Sequence, residues 1–485
     1  MKKILAIVLL IALIVTVGVA CVACDLDEDV ITVTIYSTMG KTLKETFDTY
    51  LRQFEEKYPG IKVDHQVPLN DYTELKKRVI TELDANDGPS ITYCYPDHVA
   101  EYNKDNYVIA LDQFADSKEM LPAGKFGNAE EELIGFTDEE KADFIEAYYK
   151  EGSESYGDGS VMYSLPYAKS TEVLFYNKDF FEEHKDVISV PTHWWTTGPD
   201  DKSSVEYVCA KILELDTNCI PLGYDADDNF FITMCEQYQT LPENAGKTLY
   251  TSTTGERFLF NNDVNKAWMK KFNEMYQKGQ LITRQTNSTQ YTSKMFVARD
   301  TDDNAKCTYM CIGSTGGATN QVSKKFDTGV AVIPQMNAEN PKVISQGPSI
   351  CMLKNPNNRT KDEQLATWLV AKFMTSNTTL QAAFSMDSGY APSRHSVYKD
   401  PVYKEEFLDL ANGKDFIAAT AALQCYEQID YSFTSPSFLG SATAREEAKT
   451  LFGKCLRLTE GSKTVAQQID EAFATAVATC VYKHP

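Results

Sequence analysis

Residues 165–179, LPYAKSTEVLFYNKD, constrain what this chain can fold into more than any other stretch. Pro166 pushes Leu165 into the extended region and cannot itself donate to a ladder. Four large β-formers follow in succession, Val173-Leu174-Phe175-Tyr176, the pattern of a strand buried on both faces. Asn177-Lys178-Asp179 stops it, and Phe180-Phe181 opens a helix. Between the proline and the strand sits a polar insert, Lys169-Ser170-Thr171. A chain that passes from one compact body to another has this form.

The text before the crossing alternates strand and helix. Ile31, Val33 and Ile35 alternate with Thr32 and Thr34, and a helix stripe of Leu43, Phe47, Leu51, Phe54 and Tyr58 follows. A strand from Ile61, a helix carrying Leu75, Val79 and Leu83, and a strand over 90–95 complete a doubly wound unit with a parallel sheet. Ligands of such sheets sit at the carboxyl ends of the strands, here Tyr36-Ser37 and Tyr95-Pro96-Asp97. Residues 112–159 are acidic and poor in apolar residues, an expected loop-and-helix insert. Past the crossing, 205–281 is mostly helical, with 223–231 read as a loop. A strand over 305–312 runs into Gly313-Ser314-Thr315-Gly316-Gly317, whose N–H groups ahead of a helix make a cradle for an anion or a hydroxyl. Two helices, 442–458 and 465–482, close the chain.

At 485 residues the chain exceeds what one core supports. Asp and Glu outnumber Lys and Arg by 69 to 47, a net charge of −22, which argues against nucleic acid and for a soluble monomer. Residues 1–24 read as a lipoprotein signal: Lys2-Lys3, an apolar run from Ile4 to Val19, and two Val-Ala-Cys triplets ending at Cys21 and Cys24. Either Cys21 or Cys24 would carry the lipid, with 25–29 as a tether, holding the body outside the cytoplasm. The remaining cysteines are scattered through apolar elements, the setting of small buried hydrophobes; a Cys209–Cys219 bridge stays open. No metal-ligand spacing, cofactor motif, G-x-S-x-G elbow or Walker loop occurs. The acidic turns at 225–228 and 300–304 lack the Gly and Glu of a calcium loop.

The spelling LPY-x(3)-T-x-V-L-x-YNKD resembles the extracellular sugar-type solute-binding proteins of bacterial ABC importers. YSTMG, KYPGIKV, a PTHWW turn at 191–195, TGVAVIP at 328–334 and GYAPSR at 389–394 carry the same resemblance. It implies a two-lobed α/β periplasmic-binding-protein fold of type II, each lobe a mixed, mostly parallel sheet flanked by helices, with three interlobe crossovers. Lobe one would be 30–168 plus 334–388 and lobe two 169–333 plus 389–485. It also implies capture of a small solute for a membrane permease, with no catalysis and no cofactor. Ser170 and Thr171 would face the cleft, Asn229 and Phe230 would stand where relatives place a stacking aromatic, and Tyr390 would face the sugar. Together with Tyr36, Ser37, Tyr95, Asp97, Ser314, Thr315 and Gly347, these give flat faces and fixed hydroxyls, the chemistry of a sugar site.

One branch is spelled most similarly, the glycerol-3-phosphate and glycerophosphodiester binders, through Gly-Ser-Thr-Gly-Gly-x-x-Asn, Gln-Gly-Pro-Ser and Phe-Leu-Gly followed by Arg445. There Arg445 would clamp a phosphate bidentately. The spacing from Gly440 to Arg445 is one residue short of that pattern, and the branch's first-turn acid falls at Met39 or Lys41. The expected ligand is a sugar or oligosaccharide, with a phosphorylated polyol as the alternative. A secreted glycoside hydrolase, which needs two carboxylates across a cleft, and a surface adhesin are the rivals from other classes.

Overall fold

The computed structural model describes residues 30–484 except 70, 155, 157–158, 357 and 410–416. The signal segment, Cys21, Cys24 and the 25–29 tether lie outside the described residues.

The crossing strand, Glu172–Asn177, is central in its sheet, antiparallel to Met310–Ser314 on one side and to Thr328–Val332 on the other. That position explains its sequence. Leu174 points into a large core with Trp194 and Phe272, while Val173 and Phe175 point to the other face, against Phe296, Cys311 and Ile417. The sheet continues through Leu222–Tyr224 to Leu281–Thr283, both added in parallel. Helices Val205–Leu215, Asp227–Gln239, Asp263–Gln277, Ser441–Leu456 and Val465–Lys483 contribute much of that large core.

The other sheet runs Ile61–Gln66, Ile31–Tyr36, Ile91–Cys94, Ser349–Met352, Leu165–Pro166. Its first three strands are parallel, and the two nearest the crossing are antiparallel. Both sheets are therefore mixed in the same way: parallel βα units on one side, a crossing strand on the other. Phe47, Leu51 and Phe54 anchor helix Lys41–Lys57, and Asp71 caps Tyr72–Asp84 by accepting from Thr73 N and Glu74 N. The two largest hydrophobic clusters separate accordingly. One takes residues between 33 and 168 and between 350 and 384; the other takes residues between 174 and 344 and between 444 and 480.

Three passages of chain run between these cores side by side. Ala391–Pro392 pairs antiparallel with Ala168–Lys169, and Ser170 exchanges backbone bonds with Gln346 at 3.0 and 2.8 Å. Their floor is a buried ion pair, Lys169 Nζ to Glu151 Oε1 at 2.9 Å.

Two local readings are corrected, and the loop-and-helix insert over 112–159 is filled in. The strand expected over 305–312 occupies Met310–Ser314, and ahead of it Cys307 makes only an isolated bridge to Cys219. The expected loop 223–231 is a strand followed by a helix that begins at Asp227, where Asp227 and Asp228 complement the positive helix end. The acidic segment 112–159 buries Phe126, Ile134, Phe136 and Phe144, and Trp368 Nε1 donates to the Ile134 carbonyl at 2.8 Å. Those aromatics are too irregularly spaced to show as a periodic face.

Candidate functional site

A cavity of about 680 Å³ lies between the cores and is lined from both. The first core supplies Thr38, Asp71, Tyr72, Tyr95 and His98; the second supplies 225–229, Arg284, Tyr291, Ser314 and Gly316. The crossings supply Ser170, Glu172, Gln346 and Tyr390. Thr38, Tyr95, Asp225 and Ser314 each stand at or just past the carboxyl end of a strand, as open α/β sheets place ligands.

Of the residues singled out in the sequence, Tyr95, Ser170, Asn229, Ser314, Tyr390 and Arg445 line this cavity. Asp97 lies behind Arg445, in a small adjoining cavity with Glu151 and Ser345. The others lie in the framework. Tyr36 is buried under the Arg78 guanidinium, and Ser37 Oγ is bonded to His65 Nε2 at 2.7 Å. Thr171 Oγ1 donates to the Ile344 carbonyl at 2.8 Å, and Thr315 Oγ1 accepts from Thr171 N at 3.3 Å. Phe230 stacks on Tyr224 and Trp194 inside the second core, because its helix starts earlier than the loop reading allowed. Gly347 serves the backbone: its φ is +84°, and a Cβ there would meet the Ala168 carbonyl at 2.2 Å.

Arg445 is held by acids from both cores. Its guanidinium pairs with Asp97 at 3.3 Å and Asp228 at 3.1 Å, and donates to Asn229 Oδ1 at 2.6 Å. Burial works against its charge, but Asp97 and Asp228 more than offset this and raise the pKa. Three further contacts span the cleft: Arg284 to Asp71 at 3.8 Å, Lys76 to Glu446 at 3.5 Å, and Gly440 N to Glu101 Oε1 at 3.1 Å.

The acids of the cavity floor are in unusual states. Burial pushes the Glu172 carboxyl up to about 8, against the opposing Tyr224 hydroxyl, which donates to Oε2. The Asn229 and Gln346 amides also stand close enough to oppose the rise, yet neither makes a full hydrogen bond to it. Burial raises Asp227 to about 6 despite bonds from Thr283 Oγ1 and Gln285 N. Burial lowers His98 to about 4, so its imidazole is neutral near pH 7.

Several buried polar atoms of lining residues have no hydrogen-bond partner: Thr38 Oγ1, Tyr72 Oη, His98 Nδ1, Glu172 Oε1, Gln321 Oε1 and Gln346 Nε2. Unpartnered buried polar atoms also occur elsewhere in the protein; those around this cavity are donors and acceptors that a ligand could satisfy. Flat faces accompany them. Tyr72 and Tyr95 have ring centroids 4.8 Å apart, and Tyr390 lies over Gly316, where a Cβ would come within 2.5 Å of its ring. Glu172, Tyr72, Tyr291, Arg284 and Gln346 were not singled out from the sequence. Glu172 is two residues past Ser170 on an extended segment, and Arg284 directly follows a strand, so strand alternation and the strand-end rule could have found both.

A polar, tyrosine-bearing cleft between two α/β cores joined by three adjoining passages defines a two-lobed ligand-capturing protein. The sequence pattern described as "bacterial extracellular solute-binding protein" matches residues 49–408, and the chain belongs to that family. No curated protein matches it by sequence. Among solved structures it is similar to an ABC substrate-binding protein of Listeria monocytogenes in complex with cycloalternan (TM-score 0.68, 16% identity, covering 92% of this chain and 98% of that one). It is also similar to maltose-bound MalE3 of T. maritima (0.67, 15%, 92% and 99%). UgpB of Mycobacterium tuberculosis in complex with glycerophosphocholine is comparable (0.66, 15%, 93% and 99%).

Proposed function

We propose that this protein is the substrate-binding lipoprotein of an ABC importer, capturing a sugar or oligosaccharide between lobes that close on it. The observation that carries the reading is the ring of unpartnered donors and acceptors, interleaved with tyrosines, around the 680 Å³ cleft. A polyol meets both needs at once: each hydroxyl gives and takes a hydrogen bond, and the C–H faces lie on aromatic rings. The solved relatives bound to cycloalternan and maltose support the same class. The protein acts as a monomer, anchored outside the cell through Cys21 or Cys24, and binds without catalysis.

The lobes are 30–168 with 334–388 and 169–333 with 389–485, except that Val343 and Ile344 pack in the second core, which moves the return to the first lobe past 344; the hinge is where the three passages run side by side. Ligand favours the closed form, which docks on the permease, so ligand sets the docking population. The alternative, a phosphorylated polyol, has the likeness to UgpB in its favour, but in the Ser314–Gly317 turn Thr315 N already donates to the Thr171 carbonyl at 2.9 Å and Gly316 N to Ser314 Oγ at 3.2 Å. Against it stands Arg445, whose charge is already taken by Asp97 and Asp228.

The test is a thermal-shift panel of maltose, maltotriose, tagatose, cycloalternan, glycerol-3-phosphate and glycerophosphocholine, since a ligand that binds only the native state raises Tm. A neutral saccharide should raise Tm and compact the protein in small-angle scattering, without releasing product in a reducing-sugar assay. A shift with the phosphates alone reverses the order of the two readings; turnover refutes both.

A further inference from the structure

Glu172 stands apart among the acids of the cleft. It is 1% exposed, yet it lines the cavity from the crossing strand, opposite Ser314 in register. Its Oε2 is occupied by the Tyr224 hydroxyl, and its buried Oε1 has no partner. No ion pair to it exists among the described residues: the neighbouring cation, Arg445, is turned to Asp97, Asp228 and Asn229. The groups facing Glu172 are Tyr224 from the strand beyond Met310–Ser314, Asp228 and Asn229 from helix Asp227–Gln239, and Gln346 from the second passage. Of these Asp228 is a second acid, and Tyr224 is neutral, its hydroxyl pushed up by burial and by Glu172 itself. A buried carboxylate without a counter-cation and beside a second acid is costly, and such a group takes up a proton instead.

Resting on the sugar-binding reading, we infer that Glu172 is a ligand contact that works as a neutral carboxylic acid: with Oε2 held by Tyr224, the protonated Oε1 donates to an oxygen of the bound saccharide. This gives the cleft a fixed donor at its floor. It also makes affinity depend on that proton, which the ligand can use only while it is present. Burial pushes the carboxyl up to about 8, so affinity is full at neutral pH and falls as pH rises beyond that value, approaching tenfold per unit. Glu172→Gln keeps a donor and removes the titration. Glu172→Leu removes both oxygens.

The experiment is calorimetric titration, from pH 6 to pH 10, of the panel saccharide giving the largest thermal shift, on the wild type and both variants. The expected result has three parts: wild-type affinity flat at low pH and then weakening about tenfold per unit, a Gln variant without that break, and a Leu variant at least tenfold weaker at pH 7. Circular dichroism at each pH confirms that the variants are folded. Isotope-edited infrared spectra of the ligand-free protein supply an independent readout, a protonated carboxyl band near pH 7 that Glu172→Gln lacks. Saccharide binding with the same pH profile in wild type and Gln variant, or no such band, overturns this role and leaves the proposed function standing. Failure of every saccharide to bind overturns both.

Discussion

Replacing Lys169 by Met tests whether the three passages are held together by a buried charge pair. Lys169 and Glu151 side chains are 1% and 3% exposed, with Nζ and Oε1 2.9 Å apart. At an effective dielectric of about 20 their attraction is roughly 6 kcal/mol, most of it offset by the desolvation of both ions. Removing one partner strands the other, which costs about 3–5 kcal/mol. Glu151 would keep hydroxyl donors from Ser345 (3.2 Å), Ser349 (3.4 Å) and Thr434 (3.2 Å), which places Lys169→Met at the low end, about 3 kcal/mol. For a cooperative unit of roughly 150–250 residues that is a fall in Tm of about 6–12 °C. The double variant Lys169→Met/Glu151→Gln should recover more than about 1 kcal/mol of the summed single losses, because neither ion is then left alone. Calorimetry on the two singles and the double gives this coupling directly. Strictly additive losses would refute the account, since independent side chains, not a pair, would then be holding the passages.

Further outcomes follow from the same geometry. Asp97→Asn removes one cross-cleft ion pair worth about 1 kcal/mol, so the open form of the ligand-free protein should gain about fivefold. Small-angle scattering at low salt should give a larger radius of gyration than wild type, and equal radii count against a tie at Arg445. For Asp227 the folded pKa is raised to about 6, so its contribution to stability is complete below the ordinary carboxylate value of about 4 and is lost as pH rises through 6. Asp227→Asn should flatten that part of the Tm–pH curve; an unchanged slope between pH 4 and 7 contradicts it. Gly347→Ala forces a side chain into a left-handed backbone at φ +84° and against the Ala168 carbonyl. It should cost more than about 2 kcal/mol, read as a lower Tm, whereas wild-type stability would show that the passage can move aside.

Local pattern carried the elements whose cause is local. The four β-formers at 173–176 predict burial on both faces because a central strand has no solvent face, and the structure places them so. The alternation at 31–35 and the stripe at 43–58 belong to the same class. What tertiary structure alone decided is which polar groups remain free to bond. Ser37, Thr171 and Thr315 spend their hydroxyls on partners far away in the chain, and Arg445 spends its charge on Asp97 and Asp228. Phe230 turns inward because its helix begins a few residues sooner than the acidic run suggested. Glu172 acquires its character only when Tyr224, Asn229 and Gln346, from three separate segments, close around it and exclude water. A side chain's identity is written at one position, but its remaining hydrogen-bonding capacity and its charge depend on neighbours that only the folded chain assembles.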